Sequence, residues 1–162
     1  MNRLPRFHFS RAVCGWLAAL GAAGVAFAGE GERAPRVPLA PQYRQECAAC
    51  HVAYPPGLLP AASWRRVMDN LPRHYGADAS LDAATVKELS AWLAANAGTY
   101  KRVREQPPED RITRSAWFVR KHGEVPARAW ALPAVKSSAN CIACHSQADQ
   151  GDFNERSIHI PR

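Results

Sequence analysis

Between residues 63 and 73 the apolar residues Trp64, Val67, Met68 and Leu71 recur at i, i+3, i+4 and i+7. That spacing predicts an amphipathic helix, with Ser63 placed to cap its start, Pro72 near its end and Gly76 free to turn the chain. The clearest helical pattern is "SLDAATVKELSAWLAANAG", residues 80–98. Leu81, Thr85, Leu89, Trp92 and Leu93 share one face there, with Ser80 as the expected cap and Gly98 as the stop. A third stripe, Ser115, Phe118, Val119 and His122, runs into Gly123 and Pro126, which read as a C-cap and a stop. A shorter helix is expected over 41–51. No segment alternates convincingly with a period of two, so the chain is expected to be mainly α, without a substantial sheet. Thirteen prolines imply long loops. "YPPGLLP" is one, and "REQPPED" (104–110) reads as a boundary between two halves. The half beyond it has little apolar mass of its own, and a small domain of that kind needs a staple.

The first 28 residues have a different logic. Arg3, Arg6 and Arg11 precede an apolar run over 12–25, and Ala26-Phe27-Ala28 follows as an A-x-A site. This is the pattern of a secretory signal peptide cleaved after about Ala28. The run is short for a membrane anchor of about 20 residues. Cys14 lies at its start, the wrong end for a lipoprotein. No other segment is apolar and long enough to span a bilayer, so the exported chain is not expected to be an integral membrane protein. Its destination is expected to be the periplasm. Cleavage removes three arginines and no acidic residue, which lowers the formal charge from +7 to +4. It also removes Cys14 and leaves Cys47, Cys50, Cys141 and Cys144.

Those four cysteines make two copies of one pattern, "CAACH" at 47–51 and "CIACH" at 141–145. A thioredoxin-like pair needs a strand-helix alternation that the chain lacks. Structural zinc or two short disulfides would leave the histidine after each pair unexplained. Covalent haem attachment explains every position. The two thiols form thioethers with the porphyrin, and the adjoining imidazole, His51 or His145, lies under the iron as the proximal ligand. Two c-type haems bring four propionates and two ferric centres, and the formal charge falls to about +2 on this count. A nucleic-acid partner then has no electrostatic basis, and runs such as "YKRVRE" read as solvated faces or propionate neighbours.

The exported chain has five histidines and a single methionine, Met68. At most one iron can therefore have His/Met ligation. At least one is bis-histidine or carries an open site. Met68 lies on the apolar face of its helix and reads as core. His74, at a helix-to-loop junction, and His122, at a helix end, are the favoured distal ligands. His159, near the C-terminus, reads as a surface residue held in reserve.

Four stretches together carry a closer likeness: "CAACHVAYPPGLLPAASWRRVM", "RHYGADASLD", "TRSAWFVRKHGE" and "VKSSANCIACHSQADQGDF". In these the chain resembles the dihaem cytochrome c (DHC) family of bacterial periplasms. The resemblance covers most of residues 39–153. It implies a class I cytochrome c-like domain with haem 1 over 29–105 and a smaller, irregular haem domain over 106–162. It also implies bis-histidine iron in both, His51 with His74 and His145 with His122. Two partners come with it, a small oxygen-binding cytochrome c (SHP) and a membrane cytochrome b.

Two functions compete. Two coordinatively saturated haems make an electron carrier between a membrane or periplasmic donor and a soluble haem protein. A haem enzyme of peroxidase type, or a small-ligand sensor, needs an iron with an open site. The histidines suffice to fill both sites, and no acid-base constellation stands beside them. A carrier without enzymatic activity is the expectation.

Overall fold

The computed structural model describes residues 37–162. The signal peptide read at 1–28, with Cys14, lies outside the described residues. Five α-helices follow in order: α1 (Pro41–Cys47), α2 (Ala61–Met68), α3 (Ala83–Ala95), α4 (Ala116–His122) and α5 (Ala127–Trp130). Turns of 3-10 helix join them. Among the described residues the only β pairing is two isolated bridges, His74 with Ala77 and His145 with Ile158. The chain is mainly α, as the periodicity indicates.

Several local expectations shift. The first helix stops at Cys47, and residues 48–50 form a turn, so the first CxxCH leaves its helix at the first thiol. α2 begins at Ala61 rather than Ser63 and has no side-chain cap. Ser63 is instead fully buried inside it. The cap of α3 is Asp82, whose carboxylate accepts from the Ala84 and Thr85 N–H groups at 3.0 Å each. Ser80 donates to Asp78 instead. A carboxylate two residues closer to the helix reaches donors that the Ser80 hydroxyl does not, and it also suits the positive end of the helix dipole. Gly98 lies beyond the end of α3, and its need for glycine is steric. A Cβ there would sit 2.5 Å from the Gly57 carbonyl oxygen, while its N–H donates to Leu59 O at 2.9 Å. In α4, Ser115 is the N-cap rather than part of the helical stripe; it and Phe118 are buried, while Val119 is exposed.

α2 packs on α3. Between and around them lies the core: Tyr43, Ala53, Leu59, Trp64, Met68, Leu71, Leu89 and Leu93. Met68 is core, as its helical position indicates. Each fully buried leucine here stabilises the fold by roughly 1.5–3 kcal/mol. The Trp64 indole N–H reaches the Pro56 carbonyl at 2.7 Å, so the buried ring is not left with an unpaired donor. In the second half Phe118, Ala129, Val135 and Ala148 are buried, strung along 3-10 turns and two short helices.

The 104–110 stretch is not a free tether. Arg66 of α2 makes a two-pronged ion pair with Asp110, at 2.8 and 2.9 Å. Tyr75 donates its hydroxyl to the Glu109 and Asp110 carbonyls, at 3.0 and 3.2 Å. Glu109 and Asp110 both take positive φ, 57° and 55°. Non-glycine residues hold that conformation at a cost that these contacts offset.

Candidate metal centres

Each CxxCH histidine faces a second histidine. His51 follows the turn after α1, and its Nδ1 lies 2.8 Å from the Val52 carbonyl. With a proton on Nδ1 donated there, Nε2 keeps its lone pair for a metal. His74 closes the 3-10 turn Leu71–Arg73. Immediately afterwards Tyr75 (φ 52°) and Gly76 (φ 98°) reverse the chain. The Tyr75 ring is held by its hydroxyl bonds to residues 109 and 110 and by the Arg111 guanidinium, 4.2 Å from its centroid. Its edge meets the His74 ring at 5.0 Å. The His51 and His74 rings lie 6.1 Å apart, 21° from parallel. Burial, then the neighbouring His51 and Arg111, lower the His74 pKa below its ordinary value. The neutral imidazole that a metal requires is thus favoured.

The second pair is built differently. His122 is the last residue of α4, and its Nδ1 lies 2.9 Å from the Phe118 carbonyl one turn earlier. The Phe118 ring stacks on it at 3.8 Å. His145 follows the 3-10 turn Cys141–Ala143, with Phe153 5.3 Å away. The His122 and His145 rings are again 6.1 Å apart, but 64° from parallel. Burial and His122 lower the His145 pKa against an opposing pull from Asp152. His145 Nδ1 is buried without a hydrogen-bond partner.

The donors fit an iron porphyrin. Two imidazoles on opposite sides of one metal, each nitrogen about 2.0–2.1 Å from it, have ring centres about 6.4 Å apart. Both pairs come within a few tenths of an ångström of that span. All four thiols are free. Burial, with a contribution from Glu46, pushes Cys47 up to about 11, and burial does the same for Cys141. Burial thus disfavours the free thiolate at these two positions. Among the described residues no three His, Cys, Asp or Glu side chains converge on a metal-ion site. His159 is exposed and lies in neither histidine pair.

The aromatic walls of these sites carried weaker signals. Tyr54 stacks on His51, Phe153 flanks His145, and Trp130 lies 6.1 Å from His122. Tyr54 could have been found from its position three residues past His51, because a ring so close to a ligand has few other places to go. The Tyr75–Arg111 contact joins residues far apart in sequence and left no periodic trace.

A mainly α chain that twice presents two thiols and an imidazole to an aromatic pocket holding a second imidazole is a c-type cytochrome with two haems. The comparisons agree. The sequence profile of dihaem cytochrome c matches residues 43–153. The dihaem cytochrome c of Shewanella baltica OS155 has 37% identity over 77% of this chain and 95% of its own, with a TM-score of 0.67. DHC purified from Rhodobacter sphaeroides has 43% identity over 72% and 99%, with a TM-score of 0.63. A second structure of the Rhodobacter sphaeroides protein gives 42% identity, 74% and 100% coverage, and 0.65. No curated protein sequence matches the chain. The chain belongs to the dihaem cytochrome c family. It is an electron-transfer haem protein with two covalently bound c-type haems. No helix among the described residues is long and apolar enough to cross a membrane.

Proposed function

We propose that both irons are bis-histidine and that the chain is a periplasmic electron carrier rather than an enzyme. Cys47 and Cys50 would attach haem 1 and Cys141 and Cys144 haem 2. His51 with His74, and His145 with His122, would be the axial ligands. The observation that carries this is the 6.1 Å separation of the imidazoles in both pairs. Bound haem supplies one-electron exchange between ferric and ferrous iron, at lower potential than a methionine ligand would give. The chain's own residues do the rest. The Val52 and Phe118 carbonyls hold the His51 and His122 rings in one tautomer and orientation. Phe118, Tyr54 and Phe153 exclude water from the imidazoles. Filled coordination leaves no iron position for a substrate.

The finer parts of the reading rest on the family likeness. Residues 29–105 would be a class I cytochrome c-like domain and 106–162 a smaller second domain. A membrane cytochrome b as donor and a small oxygen-binding cytochrome c as acceptor fit a carrier with weak net charge, which favours fast release. Export through a signal peptide at 1–28 fits covalent haem.

The test is the visible spectrum of the reduced dihaem protein with and without carbon monoxide. Both irons should stay low-spin and the spectrum unchanged. His74→Ala or His122→Ala should each open one iron to the gas. Electron paramagnetic resonance of the oxidised protein should give two low-spin signals. Near-parallel rings at the first pair should give a rhombic signal, and near-perpendicular rings at the second a strongly anisotropic one. Carbon monoxide binding to the unaltered protein would instead mean an open iron, and the enzyme or sensor reading would replace the carrier.

A further inference from the structure

Eighty-five residues separate Tyr54 from Ala139, yet the Tyr54 hydroxyl donates to the Ala139 carbonyl at 2.8 Å. The same carbonyl accepts the Cys141 backbone N–H at 3.0 Å. On its other side the Tyr54 ring lies on the His51 ring, with centroids 4.8 Å apart and planes within 17°. That is the offset-stacked range in which aromatic pairs attract. Tyr54 is itself fixed, because its own carbonyl accepts from Tyr43 at 2.9 Å and Tyr43 is a buried core residue. Both CxxCH motifs line one cavity of about 340 Å³, with Cys50 and His51 on one wall and Cys141 and Ile142 on the other. Tyr54 runs from one motif to the other. A continuous path leads from the His51 imidazole through a stacked ring, a phenol hydrogen bond and one peptide to the attachment residue of the second motif.

We propose that Tyr54 is the bridge that couples the two redox centres. This rests on reading His51 as an iron ligand and Cys141 as an attachment point. Tyr54 is a positioning residue with two roles. It fixes the His51 ring plane, and it holds the segment carrying the second motif at a set distance from the first. In the exchange one electron leaves the ferrous centre of one site and arrives at the ferric centre of the other. No bond forms or breaks, Tyr54 keeps its proton, and no outside oxidant is needed for the internal step. Removing a link from a packed, hydrogen-bonded chain weakens the coupling it carries.

The experiment uses the full dihaem protein with Tyr54→Phe, Tyr54→Leu and, as a control, Tyr100→Phe. A photoreductant delivers one electron per molecule, and the spectral change that follows reports redistribution between the haems. Tyr54→Phe keeps the ring and loses the hydrogen bond, so exchange should slow by about threefold; Tyr54→Leu loses both and should slow it by about tenfold or more. Tyr100→Phe loses a hydrogen bond of the same kind, to the Gly57 carbonyl at 2.7 Å and off the path, and should leave the exchange rate unchanged. A titration of each variant should show the first haem's potential moving with Tyr54→Leu and not with Tyr100→Phe. Unaltered exchange in both Tyr54 variants would overturn the proposal, as would equal slowing in the Tyr100→Phe control. The underlying assignment is checked separately. Two haems per chain by pyridine haemochrome, with no response to carbon monoxide, show that the ligand reading holds whatever Tyr54 does.

Discussion

The two halves of this chain hold equivalent histidine pairs on unlike scaffolds. In the first half, α2 and α3 close over eight buried residues, and the imidazoles lie at the edge of that core. In the second, the buried residues are few and lie along α4, α5 and short 3-10 turns. Yet the ring separation is 6.1 Å in both. A packed core is therefore one way to place two ligands, and not a requirement. The second half does it with a helix end, Ser115 at the N-cap and Phe118 stacked on His122. It also leans on the first half through the Tyr54 bond to Ala139. The apolar mass missing from the second half is expected to come from its haem, as small domains require a staple.

Removing the haems tests that comparison most severely. Cys141→Ala with Cys144→Ala should halve the haem content and open most of residues 112–162 to protease, leaving the first half protected. Cys47→Ala with Cys50→Ala should also halve the haem content, but with less loss of protection in its own half. Fragment mapping by mass spectrometry decides, and equal sensitivity of the two halves would erase the distinction.

Core truncation gives a smaller effect. Leu93, fully buried in the first half, should cost about 2–5 kcal/mol as Leu93→Ala. Val135 is as deeply buried in the second half, but Val135→Ala should cost roughly 1–2 kcal/mol, since it removes less and its surroundings are sparser. Denaturant unfolding of the holoprotein would compare them. A larger loss at Val135 would mean that the second half has a tighter core than its burial pattern suggests.

The smallest effect concerns the clamp between the halves. Burial alone would raise the Asp110 pKa, but hydrogen bonds from Arg66 and Ser63, with the Arg66 charge, outweigh it and hold the carboxyl below the usual range. Tyr75, whose hydroxyl donates to the Asp110 backbone carbonyl, is packed beside it. A carboxyl whose folded pKa is depressed stabilises the fold fully above its unfolded value, near 4, and loses that contribution as pH falls through the folded value. Asp110→Asn should therefore cost about 1 kcal/mol at pH 7, a modest figure because Arg66 is partly exposed. The gap to the unaltered protein should close as the buffer is made acidic. A gap that is constant with pH would show that the ion pair contributes nothing.

Much of the site was legible because covalent chemistry is local. Two thiols and an imidazole in five consecutive residues identify haem attachment without any fold, and the number of histidines and methionines limits the ligand sets. Helix existence was equally legible, since the apolar spacing at Trp64, Met68 and Leu71 and at Leu89 and Leu93 is itself the packing face. Caps and ends were less so. Asp82 displaced Ser80, and α1 ended at Cys47, because the terminal groups of a helix are settled by whichever neighbouring donor or acceptor arrives first. What no short-range pattern contained were the contacts that set ring orientation: Arg111 on Tyr75 beside His74, and Tyr54 on His51 with its hydroxyl at Ala139. Cofactor chemistry and candidate ligands, even their pairing through the family likeness, could be read along the chain, because bonds and periodicity are properties of neighbouring residues. The distance and angle at which each imidazole pair meets needed the folded structure, because they depend on side chains brought together from distant parts of the chain.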